Sequence, residues 1–289
     1  MQILCNGIIS GFTIGLLALA FNAVYLPTRV FHLALGGVFA VVPFIAWQLL
    51  LWKQSWPAAI FVAVAAGVLL SLACEAFNHA RLERTGSSSG AHLISSLGIY
   101  IVMVQAIALM WGNENKVLRA GVDSVVKVEQ ITLTHAQLLA GVISLSVLLA
   151  FYILLRFTNI GLRLRALADN PSQLALHGYN TRHLRFFAFS IAGLLASVSS
   201  LLVAYDIGFD PHGGLIALLL AIVAVIIGGR ASWLGPVLGG IVLGLIRSEV
   251  AWFLSARWQD AATYALLALF LFVRPRGILG RNLRLEAQS

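Results

Sequence analysis

Charge is what this chain has least of. Only 10% of its 289 residues are Asp, Glu, Lys or Arg, where a soluble domain carries roughly 25%. A water-exposed globular fold is excluded. Cysteine is nearly absent: Cys5 and Cys74 both lie inside apolar runs, with no metal-ligand spacing. Nothing there points to a cysteine-built metal centre, and buried thiols are the expected reading. Catalytic motifs are missing as well. There is no HExxH, no GxSxG context, no CxxC and no Walker-type phosphate loop. No catalytic residue, cofactor or metal is therefore expected, and the chain is not an enzyme. If it drives transport, the energy enters from outside the polypeptide.

Ionisable residues within the apolar runs are few: Glu75, Arg247 and Glu249. Isolated charge in lipid is expensive. Each stands within about two turns of a run's end, where long side chains reach the interface. Arg247 and Glu249 are two apart and share no helix face, so pairing with other helices or with the interface is expected. No run carries an acid or base at its centre. That weighs against a proton-coupled carrier and against a charged cargo.

Apolar length is what the chain has in abundance: 60% hydrophobic residues and a mean hydropathy of +0.92. Runs of about 20 apolar residues, each long enough to cross a bilayer, recur throughout. Nine spans are predicted, at about 3–26, 33–52, 57–79, 91–111, 135–156, 185–205, 214–229, 235–254 and 260–273. The seventh and ninth are short, so one could be re-entrant. The fold class is an all-α polytopic membrane protein, a bundle of eight or nine transmembrane helices filling residues 1–289 as one domain. The first run lacks a basic leader and is longer than a signal-peptide core, which reads as a retained span.

The net charge of +8 would suggest nucleic acid in a soluble protein, but its distribution follows the positive-inside rule. Placing the loop around 157–184 in the cytoplasm and alternating outward assigns Arg29, Arg81, Arg84, Arg156, Arg163, Arg165, Arg182, Arg185, Arg230, Arg274, Arg276, Arg281 and Arg284 to the inside. These are 13 of the 19 basic residues. Lys53, Lys116, Arg119, Lys127 and Arg257 fall outside, with Glu114, Asp123, Glu129, Asp206, Asp210 and Asp260. The N-terminus is then outside, the C-terminus cytoplasmic and the span count odd. The outer segment of about 112–134 alternates in part (Val122, Val125, Val126, Val128, Ile131). It suits a small β-hairpin or an amphipathic cap.

Three segments stand out. In Arg163–Arg185 the chain gathers arginines and writes a short helix: Asn170 suits a cap, Pro171 the first helical position and Gly178 the exit. About two turns cannot hold a helix in water, so the side carrying Leu174 and Ala175, with Leu167 upstream, is expected to seek a partner. In Ile226–Leu245, the pairs Gly228-Gly229, Gly235-Pro236 and Gly239-Gly240 surround one arginine. Such glycines cost a helix roughly 1 kcal/mol each. They predict a tight, partly unwound turn beside a translocation path, against the plainer reading of close small-residue packing. In Phe31–Gly37, Pro27 precedes His32, Gly36 and Gly37. His32 could line a path, but a single His at a membrane boundary reads first as an interfacial side chain. The serines Ser87–Ser89 read as loop and cap.

RALADNPSQLALHGYN (Arg165–Asn180), GGRASWLGPVLGG (Gly228–Gly240) and VRPRGILG (Val273–Gly280), in that order and spacing, resemble the permease subunit of ABC importers for branched-chain amino acids. That group also includes urea and short-chain amide permeases. The resemblance extends over nearly the whole chain. It implies that Arg165, Ala166, Asp169, Asn170, Pro171, Leu174, Ala175 and Gly178 belong to a cytoplasmic loop docking on the ATPase. It likewise implies that Gly228, Gly229, Gly235, Pro236, Gly239 and Gly240 turn beside the pathway. The Asn-Phe-Ala-His-Gly stretch usual after the first span is replaced here by FHLALGG, which keeps the glycines and loses the asparagine.

The implied partners are two cytoplasmic ABC ATPases, a homologous second permease or a second copy, a periplasmic binding protein and the lipid bilayer, in a bacterial inner membrane. No nucleic acid is implied. The cargo implied first is a branched-chain or hydrophobic amino acid, then urea or an amide, then a sugar. A stand-alone secondary carrier or channel is the alternative of a different class; it calls for a mid-membrane ion site that the sequence does not show. A purely structural subunit would not need the broken-helix glycines.

Overall fold

The structure is a computed structural model that describes residues 1–119, 121, 124–128 and 131–280. Val122, Asp123, Glu129, Arg281 and Arg284, named above, lie outside them. The protein is an all-α polytopic membrane protein. Its helices are α1 (Gln2–Thr28), α2 (Ala34–Leu51), α3 (Trp56–Ala73), α4 (Ala80–Arg84), α5 (Ser89–Trp111), α6 (His135–Phe157), α7 (Asn159–Asp169), α8 (Pro171–Leu176), α9 (Thr181–Asp206), α10 (Gly213–Gly228), α11 (Gly235–Phe253) and α12 (Gln259–Val273). A wide π-helical turn, Cys74–His79, joins α3 to α4. Counting Trp56–Arg84 as one rod, seven helices among the described residues are long and apolar enough to cross a membrane. The segments predicted to be short are α10, with 16 residues, and α12, with 15.

Local chemistry sets the element ends. Thr134 and Gln137 close a reciprocal capping box on α6, each main-chain N–H reaching the other's side-chain oxygen at 3.2 Å. Ser88 accepts from the Ala91 N–H at the start of α5, the cap its serines predict. The segment of about 112–134 holds the small hairpin rather than an amphipathic cap: β1 (Val125–Val128) pairs antiparallel with β2 (Ile131–Thr134). Gln2 at the head of α1 pins that hairpin through both the N–H and the carbonyl of Thr132, each at 2.7 Å.

The core gathers around α1, which packs on α11, α9, α10, α6 and α7. Gly7, Gly11 and Gly15 recur every fourth residue and are all buried, so they form one stripe. Gly240 and Gly244 face it from α11. A Cβ on Gly11 would lie 2.8 Å from Ile241 Cα, and one on Gly240 would lie 2.6 Å from Gly15 Cα. Backbone-to-backbone contact of this kind is how helices associate where lipid supplies no hydrophobic drive.

The α2–α9 contact has a different origin. Pro43 inside α2 lacks the N–H that would bond the Phe39 carbonyl. The Ser200 hydroxyl of α9 donates to that carbonyl instead.

Candidate functional site

The short helix exists where the sequence places it. Asn170 Oδ1 accepts from the Gln173 N–H at 3.0 Å, and Pro171 opens α8. Gly178 has φ +81 and closes the helix through its N–H to the Ala175 carbonyl at 2.9 Å. With open space around Gly178, its backbone conformation is what requires glycine.

One expectation needs correcting. Leu174 and Leu167 do not wait for a partner; they are buried against each other and against Leu184 of α9, with Ala166 alongside. The outward face is the opposite one. Pro171 and Ala175 are exposed, and Leu176 is 88% exposed. Two turns of helix are thus held from behind and present an aliphatic tip. Asp169 is exposed at the end of α7, and Arg165 turns back on its own helix toward the Gly161 carbonyl at 3.4 Å. Arg163 lies 5.0 Å from the centre of the Tyr179 ring, bracing the far side of the turn. The elbow between α6 and α7 depends on Gly161, where a Cβ would lie 2.5 Å from Leu155 Cα.

Next to this platform lies a charged clamp that sequence reasoning did not assemble. Arg185, in the first turns of α9, donates from Nε to Glu75 Oε1 at 2.9 Å and from Nη2 to Oε2 at 3.4 Å. It also pairs with Glu83 of α4. Glu75 is fully buried. The wide turn Cys74–His79 sends Cys74, Glu75 and His79 inward while Phe77 stays outside.

The pairing expected of Glu75 and Arg247 is present in both cases. Arg247 reaches Asp260 at 2.8 Å and Thr263 at 3.0 Å.

Behind the clamp runs a chain of imidazoles. His79 Nδ1 is 3.2 Å from His92 Nδ1, and its Nε2 is 3.2 Å from His32 Nδ1. A neutral imidazole has one donor and one acceptor, so His79 can bridge both neighbours only if the three protons point the same way along the row. His32 is the second correction. The sequence makes it interfacial, but it is wholly buried against His79 and Phe189, with no partner for Nε2 among the described residues. Arg29 takes a left-handed conformation, φ 58, and the following residues tuck inward until the Ala34 N–H reaches Ser96 Oγ at 2.8 Å. Burial first, and His79 second, hold the His32 pKa well below its ordinary 6.5.

The glycine segment and the C-terminal motif meet. Gly229 has φ +111 and breaks the chain between α10 and α11. Ile278 and Leu279 donate to the carbonyls of Ile227 and Gly228 at 2.8 and 3.0 Å. Gly277, φ +75, fits where a Cβ would lie 2.6 Å from the Gly229 nitrogen. Gly228 and Gly235 touch backbone to backbone, Pro236 is buried, and Gly239 packs on the Ala224 carbonyl. Gly36 crosses α10, where a Cβ would lie 2.9 Å from the Gly214 carbonyl, and Gly37 faces Met103. The geometry at these glycines is close helix packing around one unwound turn.

The sequence profile of the family described as branched-chain amino acid transport system, permease component, matches residues 3–272. The chain belongs to that family. It is similar to the high-affinity branched-chain amino acid transport system permease protein LivH of Salmonella typhimurium, 27% identical over 97% of this chain and 96% of that protein. It is likewise similar to the permease protein BraD of Pseudomonas aeruginosa, 28% identical with the same coverages. Among solved structures, PsaBC from Streptococcus pneumoniae in complex with Fab matches with a TM-score of 0.55 at 12% identity, covering 96% of this chain and 93% of that one. That likeness shows a common fold.

Proposed function

We propose that this chain is the membrane-embedded permease subunit of an ATP-driven importer and carries branched-chain or other apolar amino acids. The observation that carries the reading is α8, a capped two-turn helix supported from behind by Leu167, Leu174 and Leu184 and exposing Leu176. A short helix seated in a partner's groove is an established recognition mode, and the absence of any phosphate loop in the sequence leaves the energy source to that partner. The amino-acid cargo rests on the relatives, both named for branched-chain amino acids.

In this reading Arg165, Ala166, Asp169, Asn170, Pro171, Leu174, Ala175 and Gly178 belong to the ATPase-coupling loop. Two cytoplasmic ATPases bind there, a homologous second permease or a second copy completes the path, and a periplasmic binding protein delivers the solute. The protein sits in a bacterial inner membrane with its N-terminus outside and its C-terminus in the cytoplasm, as the arginine distribution favours. The glycine contacts at Gly36, Gly37, Gly228, Gly229, Gly235, Gly239 and Gly240, together with Pro236 and His32, are surfaces on which helices shift when the path opens.

The test is reconstitution. Vesicles holding the complete complex should accumulate leucine only with ATP, and Ala175→Arg should abolish that uptake while the subunit remains in the membrane. Leucine uptake by vesicles holding this chain alone would refute the reading and favour a stand-alone carrier.

A further inference from the structure

Residues 207–212, between α9 and α10, fold back against the bundle. Lys116 and Phe209 exchange main-chain hydrogen bonds at 2.9 and 2.7 Å, and Phe209 stands edge-on to Phe44 at 4.8 Å. Helix α10 consequently begins beside Gly36, in the first turn of α2. At this interruption a cavity of about 180 Å³ opens among α2, α9 and α10. Phe39, Pro43, Val203, Phe209 and Ala217 give it apolar walls, and Asp210 is the ionisable side chain on its lining. Ser200, also on the lining, spends its hydroxyl on the Phe39 carbonyl. Asp210 Oδ1 accepts from the N–H groups of His212 and Gly213 at 2.8 and 3.0 Å, which leaves Oδ2 as its second acceptor. Gly213 keeps that oxygen clear, since a Cβ there would lie 3.1 Å from it.

We infer that this cavity is the substrate-contact site of the importer. It takes a small zwitterion with a compact apolar side chain, the ammonium on Asp210 Oδ2 and the hydrocarbon against Phe39, Val203, Phe209 and Ala217. The inference rests on the proposed function and narrows it to one place and one chemistry. A carboxylate in an apolar recess gains most from a cation that arrives attached to hydrocarbon. Urea or an amide would leave its charge uncompensated. The volume is below the roughly 300–1,000 Å³ of sites for drug-sized ligands, as befits a single amino acid. A larger recess of about 450 Å³, reaching from α3 to α6 across α9, is lined by apolar residues and Tyr205 and has no charge with which to orient such a solute.

The test uses the complete complex, with its ATPases and binding protein, in vesicles. Asp210→Asn keeps an oxygen that can cap His212 and Gly213 and removes only the charge. Leucine uptake should fall about tenfold or more, the loss expected for a charge-assisted hydrogen bond, with Asp210→Glu retaining part of it. Ala217→Phe fills the cavity from α10 and should depress leucine uptake more than alanine uptake. Leucine uptake within twofold of wild type in either Asp210→Asn or Ala217→Phe overturns the site. A wild-type complex that carries urea and no amino acid refutes the proposed cargo, and the cavity assignment falls with it.

Discussion

Removing the arginine of the buried clamp should cost far more than removing its acid. Glu75 is fully buried and Arg185 nearly so, at 9% exposed. Arg185→Met leaves a carboxylate in the interior with its cation gone, a change worth about 3–5 kcal/mol. Glu75→Gln keeps an oxygen for Arg185 Nε, and the guanidinium still has Glu83, whose side chain is 52% exposed. Losing the charge while keeping the hydrogen bond should cost about 1–2 kcal/mol. In the double variant no unpaired buried charge remains, since Glu83 is half exposed, so its cost should fall about 2–3 kcal/mol short of the sum of the singles. Against a total stability of about 5–15 kcal/mol, such differences are measurable by equilibrium unfolding in mixed micelles. An exposed bridge would give about 0–1 kcal/mol of coupling. Strictly additive costs, or an Arg185→Met variant no worse than Glu75→Gln, would show that the clamp is not the buried pair described.

Gly240→Val pushes a branched side chain into α1 and should destabilise by about 1–3 kcal/mol. Gly98→Ala in α5, with open space around it, should instead gain up to about 1 kcal/mol; thermal midpoints in detergent compare the two. Leu176→Asp changes the exposed tip of α8 and should cut ATP-driven uptake while leaving the unfolding midpoint in place. Co-purification should show the ATPase lost. For His32, whose pKa is lowered by burial, the unfolded chain binds the proton more readily than the folded one. Stability should therefore decline as pH falls below about 6.5, by at most ~1.4 kcal/mol per unit for this one group. His32→Gln should lessen the slope of the unfolding free energy between pH 6.5 and 5, and an unchanged slope would show that His32 does not contribute to it.

The helices were legible because hydropathy and span length are properties of contiguous residues. So was α8, since Asn170, Pro171 and Gly178 act on their own backbone. What the sequence hid was direction and partnership. Leu174 reads as apolar either way; only the positions of Leu167 and Leu184 show that it faces inward. His32 reads as interfacial because its neighbour in space, His79, is 47 residues away along the chain. Glu75 and His79, four apart, were a visible hint, and the turn that holds them is wider than a regular helix. The spacing of Gly7, Gly11 and Gly15 was readable too. It identifies α1 as the helix that α11 approaches, a role that glycine clustering within α11 alone could not reveal.

The base of the bundle links α8 to the cavity without a gap. Leu184 supports α8, and Arg185, the next residue, grips Glu75 and Glu83. His79 then touches His32, which precedes α2. Higher up, Ser200 ties α9 to the Phe39 carbonyl of α2, and residues of both helices line the cavity. A partner that displaces α8 therefore pulls on two of the three helices that line the cavity. Arg185→Lys tests this link, because an ammonium cannot hold two carboxylates with the fork geometry of a guanidinium. It should lower the leucine moved per ATP hydrolysed while ATPase binding is retained. An unchanged ratio would mean that the stroke bypasses the clamp and enters the bundle along α7 and α6.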